Sequence, residues 1–406
     1  MKPSILAVLA ALALVVLANV SRAQDTTSSA PDTSYVEYHE SPVSLPLGLG
    51  LRIPSYDRVN GLTLPWGPRL DIGDDKLQLD GLVSYRSNLG KWDPSLEGFA
   101  RAGVSNEIRL FVGRATFTND SWIRSDLANS LAALGVGSDS RNYFRGDRAT
   151  ARFTHTLATS AVTLTPFIGG NIERDWSTGS IAPPKSPWSF FGRKGILKMR
   201  RPNPRVEKGR ISSFLAGSGI QVARGGLDGK LDVAVEHSLS TSLAADCSGF
   251  PADAACRLAG QSFTQVILDS KVDFPTFGSQ SFSFKGHAVL TGSKIAPPQR
   301  FAYLGGSGTL ATVDLLALGG DHLLYVQGDY TVPIDIIQLP YLGAPFLGLR
   351  YSAGNAGEGK LPALIQNLGV GVGVSFFRAD YSIDPARNRS PVSRRSAISF
   401  GISLPM

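Results

Sequence analysis

Beyond residue 20 this chain of 406 residues has no long unbroken apolar run, and it carries only two cysteines, three methionines and five histidines. The first absence excludes a helical membrane protein, because each helical span needs about 20 consecutive apolar residues. No two of His39, His155, His237, His287 and His322 stand at the spacing that puts metal ligands on one helix face. Each falls in or beside a strand-like segment. No Gly-x-Ser-x-Gly pentapeptide is present, and Gly305-Gly306-Ser307-Gly308 lacks the Lys-Ser/Thr and helix of a phosphate-binding loop. Arg145-Gly146-Asp147 matches an adhesive tripeptide, a match expected by chance at a loop edge rich in these residues. The net charge of +7 falls to +5 without Lys2 and Arg22, and it is spread along the chain rather than clustered on a nucleic-acid-binding module. These absences predict a non-enzymatic protein with no cofactor, no metal and no nucleic-acid partner.

What is present is a beat of two. In Asn367-Leu368-Gly369-Val370-Gly371-Val372-Gly373-Val374-Ser375-Phe376 every even position is large and apolar, and every odd position after Asn367 is Gly or Ser. Successive side chains of a strand point to opposite faces, so one face of this segment is apolar and the other small or polar. The alternation recurs in Leu231–Glu236, in Phe282–Ala288 and in Ile398-Ser399-Phe400-Gly401-Ile402-Ser403-Leu404. Polar and charged residues such as Lys230, Asp232, Glu236, Lys271 and Asp273 occupy the other face, as a wet lumen requires. Strand segments are expected near 58–70, 76–87, 95–104, 106–118, 143–157, 160–173, 208–224 and 228–240. Others are expected near 261–274, 278–291, 322–334, 344–353, 365–376, 377–384 and 394–404. Alternating strands separated by turns, about sixteen in all, predict an all-β fold: a transmembrane antiparallel β-barrel. Mean hydropathy of +0.02 agrees, because half of each strand faces a polar lumen.

The N-terminus predicts where the barrel sits. Met1-Lys2-Pro3 is positive, Ile5–Val20 is hydrocarbon, and Ser21-Arg22-Ala23 offers small residues at a cleavage site. Residues 1–23 therefore read as a secretory signal peptide, and the destination as the outer membrane of a Gram-negative bacterium. Residues 24–55 read as a short flexible periplasmic or plug-like lead-in, and 56–406 as the barrel. Cys247 and Cys256, nine apart in a loop-like stretch, form a disulfide candidate in that oxidising compartment. Long loops are expected at 119–142, 175–207, 241–260 and 292–320, the first with a short helix over Ser125–Leu134. The cluster Lys198-Met199-Arg200-Arg201 is either a contact for lipopolysaccharide or a solvated charge run.

The C-terminal third resembles the barrel of the bacterial surface antigen family, the superfamily of outer-membrane protein assembly factors. The resemblance rests on Leu304-Gly305-Gly306-Ser307-Gly308-Thr309-Leu310, which is similar to the run opening the family's long lumenal loop. It continues through Leu323–Ile334, Tyr351–Asn355, the strand at 367–376 and the terminal strand. Upstream, Tyr56–Leu62 is similar to the family's first-strand opening. The family places an Arg-Gly-aromatic tip after the glycine run and pairs its Arg with an Asp on a later strand. This chain has Ala311-Thr312-Val313 at the tip and Ser352 at the aligned acidic position, so Ala311 and Ser352 mark two positions departed together. Losing both partners of a buried ion pair is far less costly than losing one. Only about thirty residues, too few for one independent domain, separate Gln24 from Tyr56, which predicts a short form without periplasmic POTRA repeats.

The resemblance implies a loop folded into the lumen and a closing strand carrying Ile398, Phe400, Ile402 and Leu404. It implies a monomeric membrane component with a reduced or altered insertase role, in contact with outer-membrane lipid and lipopolysaccharide. Unfolded outer-membrane proteins or periplasmic chaperones are the protein partners it suggests. A passive pore for small solutes is the alternative.

Overall fold

The computed structural model describes residues 43–46, 49–73, 76–178, 201–244, 262–292, 294–340, 342–375, 377–386 and 392–402. Cys247, Cys256, Leu404, His39 and residues 198–200 lie outside them.

The first strand segments are β1 (Val43–Ser44), β2 (Ser55–Asp57), β3 (Gly61–Trp66), β4 (Arg69–Ile72), β5 (Leu77–Arg86), β6 (Lys91–Ala102) and β7 (Asn106–Phe117). Helix α1 (Asp126–Val136) follows, capped by Ser125 Oγ accepting from the Ala128 N–H and ended by Gly137 in the left-handed region at φ 63°. Then come β8 (Phe144–His155), β9 (Leu157–Ala158), β10 (Val162–Ser177), β11 (Lys208–Arg224), β12 (Leu227–Ala244), β13 (Thr264–Pro275) and β14 (Ser281–Gly292). A small hairpin, β15 (Ala302–Leu304) with β16 (Leu318–Gly320), precedes β17 (His322–Pro333), β18 (Pro345–Gly357), β19 (Ile365–Val374), β20 (Phe377–Ile383) and β21 (Ser396–Ile402).

All but the hairpin belong to one sheet of nineteen segments. From β5 onward it is a meander in which each strand pairs antiparallel with the next, and β14 pairs directly with β17 across the hairpin. β3 and β4 are one strand interrupted near Gly67, since both pair with β5. β8 and β9 likewise share β10 as partner. On the free side of β3–β4, Val43 pairs with Leu70, Leu51 bridges to Trp66 and Ser55 pairs with Thr63. Residues 43–57 are thus a further interrupted strand, drawn from the stretch that reads as lead-in. With these three pairs joined, nineteen segments make sixteen strands. Among the described residues no pairing joins β21 to β1–β4.

The alternation expected from the sequence governs which side chains face out. On β19, Leu368, Val370 and Val372 are exposed, while Asn367, Gly369 and Gly371 are buried on the inner face. On β18, Leu347, Leu349 and Tyr351 face out and Ser352 faces in. An exposed apolar wall around a polar interior is what a bilayer selects, because lipid solvates the outer face.

Alternate connections of an antiparallel meander emerge at the same end. At one end they are short, as at 73–76, 103–105, 225–226 and 375–376, with 334–344 the longest. At the other end lie 118–143, 178–207, 245–263, 293–321 and 384–395. Barrels of the outer membrane show this asymmetry, with long loops outside.

Candidate functional site

The long segment 293–321 lies against the inner faces of several strands, and its geometry begins with its base. Asp321 is fully buried and accepts from the Ala296 N–H through Oδ2 (2.9 Å) and from the Gly359 N–H through Oδ1 (2.8 Å), tying both ends of the segment to the 358–364 connection. From that base β15 and β16 run as a hairpin toward a tip at 305–317. Gly305 and Gly306 have φ of 124° and 90°, conformations that glycine adopts without steric cost. A Cβ on Gly305 would meet the Asp314 carbonyl oxygen at 2.2 Å.

Leu304 and Leu310 are fully buried beneath this turn. They join Val313, Val289, Leu323, Tyr325, Ala356 and Ile365 in the largest apolar cluster of the molecule among the described residues. Burying such side chains stabilises by about 1.5–3 kcal/mol each. Gly308 lies so close to the 118–143 segment that a Cβ on it would meet Ile123 Cγ2 at 2.6 Å.

One side of the segment binds the wall made by β10, β12 and β13. Arg300 is buried and donates from Nε and Nη2 to both carboxylate oxygens of Glu236 on β12, each at 2.8 Å, and it also pairs with Glu173 on β10. Gln265 Nε2 on β13 donates to the Arg300 carbonyl at 3.2 Å. Burial alone would lower the Arg300 pKa, but Glu173 and Glu236 hold it well above its ordinary value. The guanidinium is thus a permanent cation clamped between two strands.

The tip binds the opposite wall. The Thr312 N–H donates to Asn367 Oδ1 (3.0 Å), and Asn367 Nδ2 donates to Thr312 Oγ1 (2.7 Å). Asp314 and Arg394 form an ion pair at 2.7 Å, and the Arg394 N–H donates to the Thr312 carbonyl, joining the tip to the 384–395 connection. Ala311 is half-buried beside this contact and does not make it. Ser352 is buried on β18, where register pairs it with Asn367. A neutral Thr–Asn pair therefore joins tip and wall one residue and one strand away from the two departed positions. Sequence reasoning missed it, although Asn367 is the single inward-facing position of its quoted run that is neither Gly nor Ser.

A third set of contacts comes from 118–143. Asn119 Nδ2 donates to the Gln299 and Phe301 carbonyls at 2.8 and 3.0 Å, and Asp120 Oδ1 accepts from the Tyr303 N–H at 3.1 Å. Asp120 Oδ2 also accepts from the Asn142 N–H at 2.7 Å. Burial pushes the Asp120 carboxyl up to about 7, against these two donors. Trp122 stacks on His287 with centroids 4.1 Å apart, and Lys285 Nζ donates to the Trp122 carbonyl at 2.7 Å. Arg201, the one described member of the basic cluster, is held inward by Asn142 and the Arg141 carbonyl.

Two polar networks occur elsewhere on the strands. On one side, Arg350 and Arg378 interleave with Asp329 and Asp380, and Arg350 spans β19 to reach Asp380 at 3.5 Å. On the other, a cavity of about 700 Å3 is lined by Asp80, Glu97, Phe99, Arg101, Arg109 and Arg152. Asp80 is neutralised there by Arg52 and Arg69. Of the terminal strand, Ile398 and Phe400 face outward and are exposed, and Ile402 pairs with Phe377 on β20.

No family model matches this sequence, and no curated protein does. Among solved structures, the chain is similar to BamA from Haemophilus ducreyi lacking POTRA domains 1–3, with a TM-score of 0.51 and 12% identity over 86% of this chain and 68% of that one. It also aligns with CdiB from Escherichia coli, with a TM-score of 0.44 and 12% identity over 89% of this chain and 62% of that one. The chain thus spans less than two thirds of the length of that second structure. What it shares with the BamA structure is a fold, and that fold is a transmembrane antiparallel β-barrel.

Proposed function

We propose that this chain is a plugged, non-enzymatic barrel of a Gram-negative outer membrane, allied to the assembly and translocation barrels, with its insertase role reduced or altered. The observation that carries this reading is that segment 293–321 is bound at once to β10 and β12 through Arg300 and to β19 through Thr312. A segment held on both walls blocks passage; the buried Arg300 pair with Glu236 and Glu173 anchors one side and the neutral Thr312–Asn367 contact holds the tip. The neutral Thr312–Asn367 contact supports an altered role, because it replaces a charged latch with one that costs less to break. Partners of matching chemistry are outer-membrane lipid and lipopolysaccharide, and unfolded outer-membrane proteins or periplasmic chaperones.

A second reading, a passive pore for small solutes, is favoured by the polar cavity of about 700 Å3. Single-channel conductance in a planar bilayer separates the two. The intact chain should be nearly silent, and deletion of residues 304–313 should produce steady conductance. Steady, salt-dependent conductance of the intact chain would make the pore the leading account.

A further inference from the structure

The outer wall at the long-loop end carries a row of charges. Register places Arg114 on β7 opposite Asp147 on β8, Asp147 opposite Arg174 on β10, and Arg174 opposite Arg210 on β11. Directly cross-strand residues point to one face, and here it is the outer one. Arg174 follows the outward Ile168 and Ile172, and its neighbours Glu173 and Asp175 face inward and are buried. Arg114, Arg174 and Arg210 are all exposed.

The charge is unbalanced. Asp147 is taken by Arg114 through two hydrogen bonds of 2.7 and 3.0 Å. Arg174 and Arg210 have no acidic partner among the described residues, and Lys208, also exposed, stands two residues before Arg210. Like charges directly opposite on neighbouring strands repel, and a side-by-side pair of guanidinium groups on an outer wall calls for an anion between them. Two adjacent forks of N–H donors suit the oxygens of a phosphate.

Height decides which phosphate. The outward positions of β10 run Val162, Leu164, Pro166, Ile168, Gly170, Ile172, and then Arg174. The ten steps from Val162 to Ile172, at about 3.3 Å each and a tilt of roughly 40°, rise about 25 Å along the barrel axis. That equals the apolar band of an outer-membrane barrel, so Arg174 is the first outward side chain beyond the hydrocarbon. Trp176 stands at the next outward position with the Arg114 guanidinium 5.5 Å from its ring, an indole where such rings collect at the membrane interface.

We propose that Arg174 and Arg210 form a binding site for the phosphate of an outer-leaflet glycolipid, with Arg114, Trp176 and Lys208 at its margin. The inference rests on the outer-membrane placement proposed above, and it is independent of whether the barrel conducts or assembles other proteins. The lipid holds two neighbouring cations together and orients this side of the wall toward the outer leaflet.

The test uses the full chain folded in detergent, with heat-modifiable gel mobility showing that the barrel has formed. Native mass spectrometry then compares retention of diphosphorylated lipid A with that of enzymatically dephosphorylated lipid A. The wild-type chain should retain the phosphorylated lipid, and R174S/R210S should retain roughly thirtyfold less, with R174K/R210K in between. Equal retention of the two lipids by the wild type would overturn the site even if a variant failed to fold. Equal retention of phosphorylated lipid by wild type and R174S/R210S would overturn it too. A chain showing no heat-modifiable barrel would remove the membrane placement and this inference with it.

Discussion

Arg300 and Arg148 face three inward carboxylates at the long-loop end, Glu173, Asp175 and Glu236. Replacing Arg300 with Ala leaves Glu236 and Glu173 buried with one cation fewer, and such an uncompensated charge costs about 3–5 kcal/mol. R300A should lower the urea midpoint accordingly, and R300A/E236Q should recover part of the loss because one carboxylate is then neutral. An unchanged midpoint in R300A would show that water reaches the pair. Asp120 titrates in the opposite sense to a surface acid. Its folded pKa is raised from 3.8 to about 7 by burial, so its contribution to stability is full below about 4, falls as pH rises, and is gone above about 7. Protease cleavage within 118–143 should therefore be faster at pH 8 than at pH 5, and D120N should flatten that dependence. Equal rates at the two pH values in the wild type would contradict the assignment.

At the scale of elements, β19 shows why its inner face carries glycine. A Cβ on Gly371 would stand 2.2 Å from Asp380 Oδ1 and 3.1 Å from the Ala379 carbonyl. Gly371 thus leaves the space through which Arg350 on β18 and Asp380 on β20 meet across the strand between them. G371A should destabilise the barrel by about 1–3 kcal/mol through overpacking, read as a lower urea midpoint at unchanged slope. Gly401, half-buried but with open space at its Cβ position, is the control that should tolerate the same change. The glycine alternation was visible in the sequence as a small-residue face. That the face serves an ion network was not, since Asp329, Arg350, Arg378 and Asp380 come from three strands.

For the whole molecule, the cavity lined by β5 to β8 sets a preference that only opening would reveal. Arg101, Arg109 and Arg152 line it; Arg109 is paired with Glu107, and of the lining acids Asp80 is already paired with Arg52 and Arg69. A chain lacking 304–313 should therefore pass anions in preference to cations. Adding R152E should move the reversal potential in a salt gradient toward cation preference, and no movement would place the current path elsewhere.

Strand positions were readable from the sequence because the two-residue period is local: one face meets lipid and the other a polar lumen, residue by residue. The glycine run at 305–308 stood out only through its resemblance to a family's run, and within it Gly305 and Gly306 take the left-handed region. The short helix after Ser125 was marked by its apolar spacing, and the structure adds its Ser125 cap. Tertiary structure alone decided the rest. Residues 43–57 joined the sheet because β3 and β4 offered an unpaired edge, which no local pattern announces. Arg300 found Glu236 across 64 residues and Thr312 found Asn367 across 55. Nothing in either neighbourhood encodes such partners, because they are chosen by the curvature that brings distant strands around one lumen.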